Sequence, residues 1–421
     1  MQNSRALIFL TCFAGLAISF ATAQTLPVAY DAPPELKASE ILQSSYLSNP
    51  SYRVREEVKT YLGLNHYVID SPFGTFVAHG NQMLQERVRE IHALARLREM
   101  TNSREYADGV KAAAKVPLAV ADNLLHSPVE TITGVPKGVG KFLGRIGRGA
   151  KEVSSGRQRN EGEDGVVKSA AGLSSTKRKL CADLGVNPYS TNEVFQSELD
   201  RVALVVFAGK ITVTVATMPI GGAAGAALTA VSVTDQANKL IYEQSPLDLR
   251  KSNLSRLTAM DISPQDAEAF LAASAFTPWN QSQFVGSLDR MTGVKGRDVL
   301  LRDATSMSDS ETDAVFYEQT AKLIVHAHTN GIVIDRIALI SGLPVCIGAD
   351  GSVIVALHWD YAMWSPRSEN FANALESLQL DRTKPASLIV ILSGTMSTRL
   401  QQELTMRGYR VQDKMIQGPL K

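Results

Sequence analysis

Hydrophobic positions change period several times along this chain. From Asn81 to Met100 they recur at helical spacing: Leu84, Val88, Ile91 and Ala95 fall at i, i+4, i+7 and i+11, with Arg and Glu between them. That spacing predicts an amphipathic helix. Just before it, Tyr67–Asp70 and Thr75–Ala78 are short β-prone runs on either side of Ser71-Pro72-Phe73-Gly74, a hairpin composition. Residues 24–50 contain Pro27, Pro33 and Pro34 and read as an extended entry segment. A second helix is expected over Ser103–Leu125. Ser127-Pro128-Val129-Glu130 then has the N-cap serine, N1 proline and N3 acid of another helix start.

Residues 151–175 lose all periodicity and predict a flexible linker. The block 176–300 reads as helical. A helix from about Thr191 enters the apolar run Val202–Val233, in which Lys210 is the only charge, and Met218-Pro219-Ile220-Gly221-Gly222 breaks that run into a helix hairpin. Ser263-Pro264 and Thr277-Pro278 are N-cap plus N1-proline pairs, and Gly293 is a helix stop. In 301–421 a capping box at Ser308–Glu311 leads a helix ending near Asn330-Gly331. Strand-like runs follow at Ile332–Ile340, Val345–Gly348 and Val353–Tyr361, the last two flanking the hairpin signal Ala349-Asp350-Gly351. A helix at Ser368–Leu378, the fully apolar strand Leu388–Leu392, a helix capped around Thr395–Thr398 and stopped by Gly408, and a strand from Tyr409 complete the chain. The fold class expected is therefore α+β: mostly helical N-terminal and central regions (24–150 and 176–300) and a small C-terminal α/β sandwich over 301–421.

The first 24 residues change the picture. Arg5 is followed by an apolar run, Ala6 to about Phe20, and by Ala21-Thr22-Ala23 ahead of Gln24. This is the layout of a cleaved signal peptide over 1–23, too short for a spanning anchor. Cys12 lies mid-run, preceded by Phe9, Leu10 and Thr11, and forms no lipobox. The chain has 43 basic and 42 acidic residues in 421, which argues against a protein that wraps nucleic acid over its whole surface. Cys181 and Cys346 remain after the signal; in an oxidising compartment they could pair, but two unrelated buried thiols, one on a helix and one on a strand, are the expected reading, and neither lies in a C-x-x-C pattern, so no metal or redox cofactor is expected.

One local patch stands out. Gly134–Gly149 interleaves six glycines with Lys137, Lys141, Arg145 and Arg148 at helical spacing, while Val135, Val139, Phe142 or Leu143, and Ile146 fall opposite. Up to Asn160 the stretch carries seven bases against one acid. Opposed cationic and apolar faces describe a segment that lies on an anionic membrane surface, with Lys137, Lys141, Phe142, Arg145 and Arg148 as the contact residues. Ile211–Val233 is 23 uncharged residues, long enough to span a bilayer but rich in Gly, Ala and Thr; a buried hairpin is the expected reading.

Catalytic signals are thin. His326 and His328 are two apart on a predicted helix and point away from each other, which makes a poor metal site. His358 and Asp360 share one face by strand alternation, and Ser393 sits where a strand hands over to a helix; these three are the candidates for a hydrolase site. No G-x-S-x-G, H-E-x-x-H or dinucleotide-loop motif occurs. Tyr67–Phe76, Ser127–Gly140 and Leu180–Asn192 resemble stretches of exported bacterial proteins with no assigned activity, a resemblance that implies no catalytic residue. The expectation is a non-enzymatic exported protein, periplasmic or extracellular, whose partner is an anionic membrane surface or an envelope protein, with no nucleic acid. An exported hydrolase on the C-terminal α/β region is the runner-up, and a membrane-permeabilising effector the third reading.

Overall fold

Residues 35–79, expected to hold an extended entry and one hairpin, build a six-stranded antiparallel sheet. The computed structural model describes residues 30–104, 106–108, 168–209, 236–340, 343–380, 383–416 and 418–421. Helices and sheets combine in a mixed α+β fold. The N-terminal sheet comprises β1 (Glu35–Lys37), β2 (Ser48–Asn49), β3 (Tyr52–Val54), β4 (Glu57–Tyr61), β5 (Leu64–Ser71) and β6 (Gly74–His79). The first half of the long β5 pairs with β4, its second half pairs with β3, and β6 runs along its other flank. Two single-turn helices, α1 (Ala38–Ile41) and α2 (Ser44–Leu47), occupy the stretch expected to be extended. Pairs and triplets of residues are too short for an alternation to register, although Tyr52, Val54, Val58, Tyr67 and Ile69 all bury one face.

Helix α3 (Asn81–Thr101) covers that face. Leu84, Val88 and Ile91 are fully buried, as their spacing predicts, together with Met83, Leu94 and Leu97. Beside it pack α4 (Lys168–Leu184), α5 (Glu193–Gly209) and α6 (Gln236–Glu243). Residues 168–175, expected to be linker, are thus the first turns of a helix; Leu173 and Leu180 anchor it in the core. The start of the expected apolar hairpin, 202–209, is the end of α5 with Val202, Ala203 and Val205 buried. The rest of the hairpin and the whole of 134–150 lie outside the described residues. Among the described residues no helix is long and apolar enough to cross a membrane.

These helices share a polarity. Gly172 meets Phe207, and Lys177 pairs with Asp200, so α4 and α5 are antiparallel. Glu90 of α3 lies against Asn192, whereas Tyr106, just beyond α3, lies within electrostatic reach of Glu198 and Arg201. Gln244, after α6, accepts a hydrogen bond from the Tyr189 hydroxyl at the turn between α4 and α5. Residues 168 and 209 therefore lie at the end of the α4–α5 pair away from that turn.

The second core is formed by α7 (Pro246–Ala259), α8 (Pro264–Leu271), α9 (Pro278–Arg290), α10 (Arg297–Met307) and α11 (Glu311–Thr329) with a five-stranded sheet. The side chains of Ser263 and Thr277 cap α8 and α9 as expected, each accepting an N–H three residues on. The cap of α11 is shifted: Ser310, not Ser308, is the N-cap, and Asp313 completes the capping box. In the sheet, β7 (Ile334–Ile340), β8 (Leu343–Gly348) and β9 (Val353–Leu357) form an antiparallel meander. From β9 the chain passes through α12 (Pro366–Glu376) to the parallel strand β11 (Leu388–Leu392). It then passes through α13 (Thr398–Met406) to β13 (Arg410–Gln412), again parallel. Short strands β10 (Tyr361–Ala362) and β12 (Thr395–Met396) pair beside it. Cys181 lies buried in α4 and Cys346 in β8, both free.

Residues 419–421 close on residues 41–43. Leu42 bridges Leu420, Gln43 N–H donates to Pro419 O at 2.9 Å, and Lys421 N–H donates to Ile41 O at 2.9 Å. Asp31 accepts from the Trp364 N–H at 2.7 Å and from the Ser397 hydroxyl at 2.5 Å.

Candidate functional site

The densest group of buried polar side chains lies where α3 meets the C-terminal half. Asp360 is its centre. The strand β9 ends at Leu357, and a tight turn follows in which Trp359 N–H donates to Leu357 O at 3.0 Å. That turn breaks the alternation expected for His358 and Asp360. The Asp360 carboxylate, 2% exposed, accepts the backbone N–H of Asn65 at 2.8 Å and of Asn81 at 3.0 Å. Asn81 is the first residue of α3, and Gly80 before it supplies no side-chain cap. An acid 279 residues away therefore caps α3, satisfying a free N–H and complementing the helix dipole.

The surrounding contacts hold this carboxylate in place. Asp360 and Tyr361 N–H groups donate to Gly63 O at 2.8 and 3.2 Å. Gly63 has φ +83, and a Cβ there would stand 2.6 Å from the Trp359 ring; only glycine combines that backbone with that approach. The Tyr67 hydroxyl donates to Asn81 Oδ1 at 2.6 Å, Asn65 Nδ2 donates to Tyr67 Oη at 3.2 Å, and Thr60 donates to Asn65 Oδ1 at 2.8 Å. Burial pushes the Asp360 carboxyl up to about 7, against the opposing pull of its two N–H donors. Burial, reinforced by the Asp360 charge, also raises the Tyr67 phenol.

One turn along α3 the polar seam continues as a charge cluster. Arg87 holds both Glu90 carboxylate oxygens at 2.7–2.8 Å and lies 3.6 Å from Glu311. Glu90 is 2% exposed and also accepts from Ser190 and from Asn192 at 2.7 Å. Glu318 of α11 accepts from Lys322 at 2.8 Å, Gln319 at 3.1 Å and Asn280 at 2.7 Å. The Glu86 carboxyl is raised to about 7, first by burial and then by the charges of Glu318, Glu311 and Glu90. Burial likewise raises Glu311. Burial thus favours the protonated forms of Asp360 and Glu86 relative to a solvated carboxyl.

The expected hydrolase residues surround Trp359 but are engaged separately. The His358 backbone N–H donates to Thr320 Oγ1 of α11 at 3.4 Å, and its ring Nδ1 is buried without a partner. Burial, then the Lys322 charge, lowers the ring to about 3, so it is neutral. The Ser393 hydroxyl donates to Trp359 O at 3.0 Å. No described hydrogen bond joins His358, Asp360 and Ser393 to one another. His328 accepts the Ile334 N–H at 3.1 Å, and His326 lies 3.3 Å from Asn330 Nδ2. Lys137, Lys141, Phe142, Arg145 and Arg148 lie outside the described residues. Sequence reasoning missed Asn65, Tyr67, Asn81, Glu86, Arg87, Glu90, Glu311 and Glu318, whose common signal is only that each is polar within or beside an apolar stripe. No protein-family model, curated protein or solved structure matches the chain.

Proposed function

We propose that this is an exported, envelope-associated protein that binds an anionic membrane surface and is non-enzymatic. The residues 134–150 make the contact, with Lys137, Lys141, Arg145 and Arg148 on lipid headgroups and Phe142 at the acyl boundary. The observation that carries this reading is the spacing of those cations opposite an apolar face. In this reading the C-terminal α/β sandwich is a soluble recognition module.

Flotation with vesicles containing anionic phosphatidylglycerol tests the proposal. The purified protein should float with these vesicles in low salt, be released as salt rises, and ignore neutral phosphatidylcholine vesicles. Reversal of Lys137, Lys141, Arg145 and Arg148 to Glu should abolish flotation. Undiminished binding by that variant, or no binding by the unaltered protein, overturns the mechanism; retention in an envelope fraction without vesicle binding points to a protein partner instead.

A further inference from the structure

The outward face of the N-terminal sheet carries a pair of imidazoles that the buried seam does not use. In the β5–β6 hairpin His66 is registered opposite His79. Alternation from the turn-closing pair Ser71/Gly74 makes this a non-hydrogen-bonded pair, and the next rung, where Gly80 N–H donates to Asn65 O at 2.7 Å, agrees. Side chains stand closest in pairs of that class. The two Nδ1 atoms are 3.1 Å apart and the ring centroids 4.5 Å apart, with the Tyr61 ring edge-on to His66. Lys59, registered on the other side of His66, has its ammonium 3.1 Å from Glu57.

Two ring nitrogens this close share either a proton or a cation. With metal–nitrogen bonds of about 2.0–2.1 Å, two ligands at right-angle or tetrahedral positions stand about 2.9–3.4 Å apart. The observed separation falls inside that interval. Burial, then His79, lowers His66 to about 4, and burial, then Arg87, lowers His79.

We propose that His66 and His79 chelate one divalent cation of the Cu²⁺, Ni²⁺ and Zn²⁺ class through their Nδ1 atoms. Imidazole suits these borderline metals better than Mg²⁺ or Ca²⁺. Among the described residues no group of three or more His, Cys, Asp or Glu could hold a metal, so water completes the coordination sphere. The buried His66 Nε2, which carries the proton once Nδ1 is metallated, meets no acceptor; the site is accordingly weaker than one with a full second shell.

The test is a titration of the untagged protein with Cu²⁺ alone at pH 7.5, read by calorimetry and electron paramagnetic resonance. One tightest-bound equivalent with two-nitrogen hyperfine structure is expected. His66→Asn and His79→Asn should each lose it, while His326→Asn, at an exposed helix end, should keep it. Near-UV circular dichroism checks that the variants fold, and the spectrum of the unaltered protein is a reading independent of them. A one-nitrogen spectrum, no binding, or folded variants that retain the signal overturns the proposal and leaves the pair sharing a proton.

Discussion

Asp360→Asn separates the charge of the α3 cap from its shape. One oxygen of Asp360 accepts both the Asn65 and Asn81 N–H groups, and an amide oxygen in the same place accepts both, so the substitution removes titration while keeping the cap. In the folded protein burial raises the carboxyl from 3.8 to about 7; in the unfolded chain it releases its proton near 3.8. Between those values the native state binds the additional proton, so stability falls as pH rises. At about 1.4 kcal/mol per unit, the part of that difference lying between pH 5 and pH 8 is about 2–3 kcal/mol. Urea unfolding at pH 5 and pH 8 measures it. The unaltered protein should lose about 2–3 kcal/mol more than Asp360→Asn over this interval. The comparison is of slopes, because the new amide NH₂ can shift both points for the variant equally. Glu86, also raised to about 7, contributes a loss of the same sign to both proteins and cancels. Parallel curves for the two proteins would refute the buried, proton-holding cap.

Arg87→Met leaves the buried Glu90 carboxylate without its cation, and should lower the unfolding free energy by about 3–5 kcal/mol; a change under about 0.5 kcal/mol would mean that Ser190 and Asn192 suffice. Two glycine substitutions should act in opposite directions in thermal melts. A Cβ at Gly394 would collide with Asp360 O, so Gly394→Ala should cost about 1–3 kcal/mol. Gly286, inside α9, has only the Arg256 guanidinium at 3.7 Å, and Gly286→Ala should gain about 0.5–1 kcal/mol; a loss there would show that the helix face is more crowded than the geometry allows. Burial pushes the Cys346 thiol up to about 12 and raises Cys181 as well. Ellman's reagent should therefore react with neither thiol until urea unfolds the protein, and rapid native labelling would contradict that burial.

What could be read from the sequence follows the range of the signal. Helix α3, the hairpin at Ser71–Gly74 and the caps at Ser263 and Thr277 are written in neighbouring residues, through a period or a cap motif. Ser308 misled because Ser310 and Asp313 two residues on make the same motif with better geometry. Strands β1 to β3 have two or three residues each and carry no measurable period. The polar seam was illegible for another reason. Glu86, Arg87 and Glu90 look like the solvated face of an amphipathic helix, and the turn at Ser190–Asn192 together with α11 turns that face inward. Asp360 caps a helix that begins 279 residues earlier, whereas every capping rule looks within four residues. His358 and Asp360 were assigned to one face because alternation was extended past Leu357, where the strand in fact ends.

The closure of residues 41–43 on 419–421 sets a schedule for folding. The contacts from Leu42 to Leu420 and from Asp31 to Trp364 and Ser397 are nearly as remote in sequence as this chain permits. Forming them requires almost the whole polypeptide, and contacts of such separation make folding slow. On the export we propose for this chain, such a delay would help it cross a membrane unfolded. Until residues 419–421 are made, α1 cannot be locked to them.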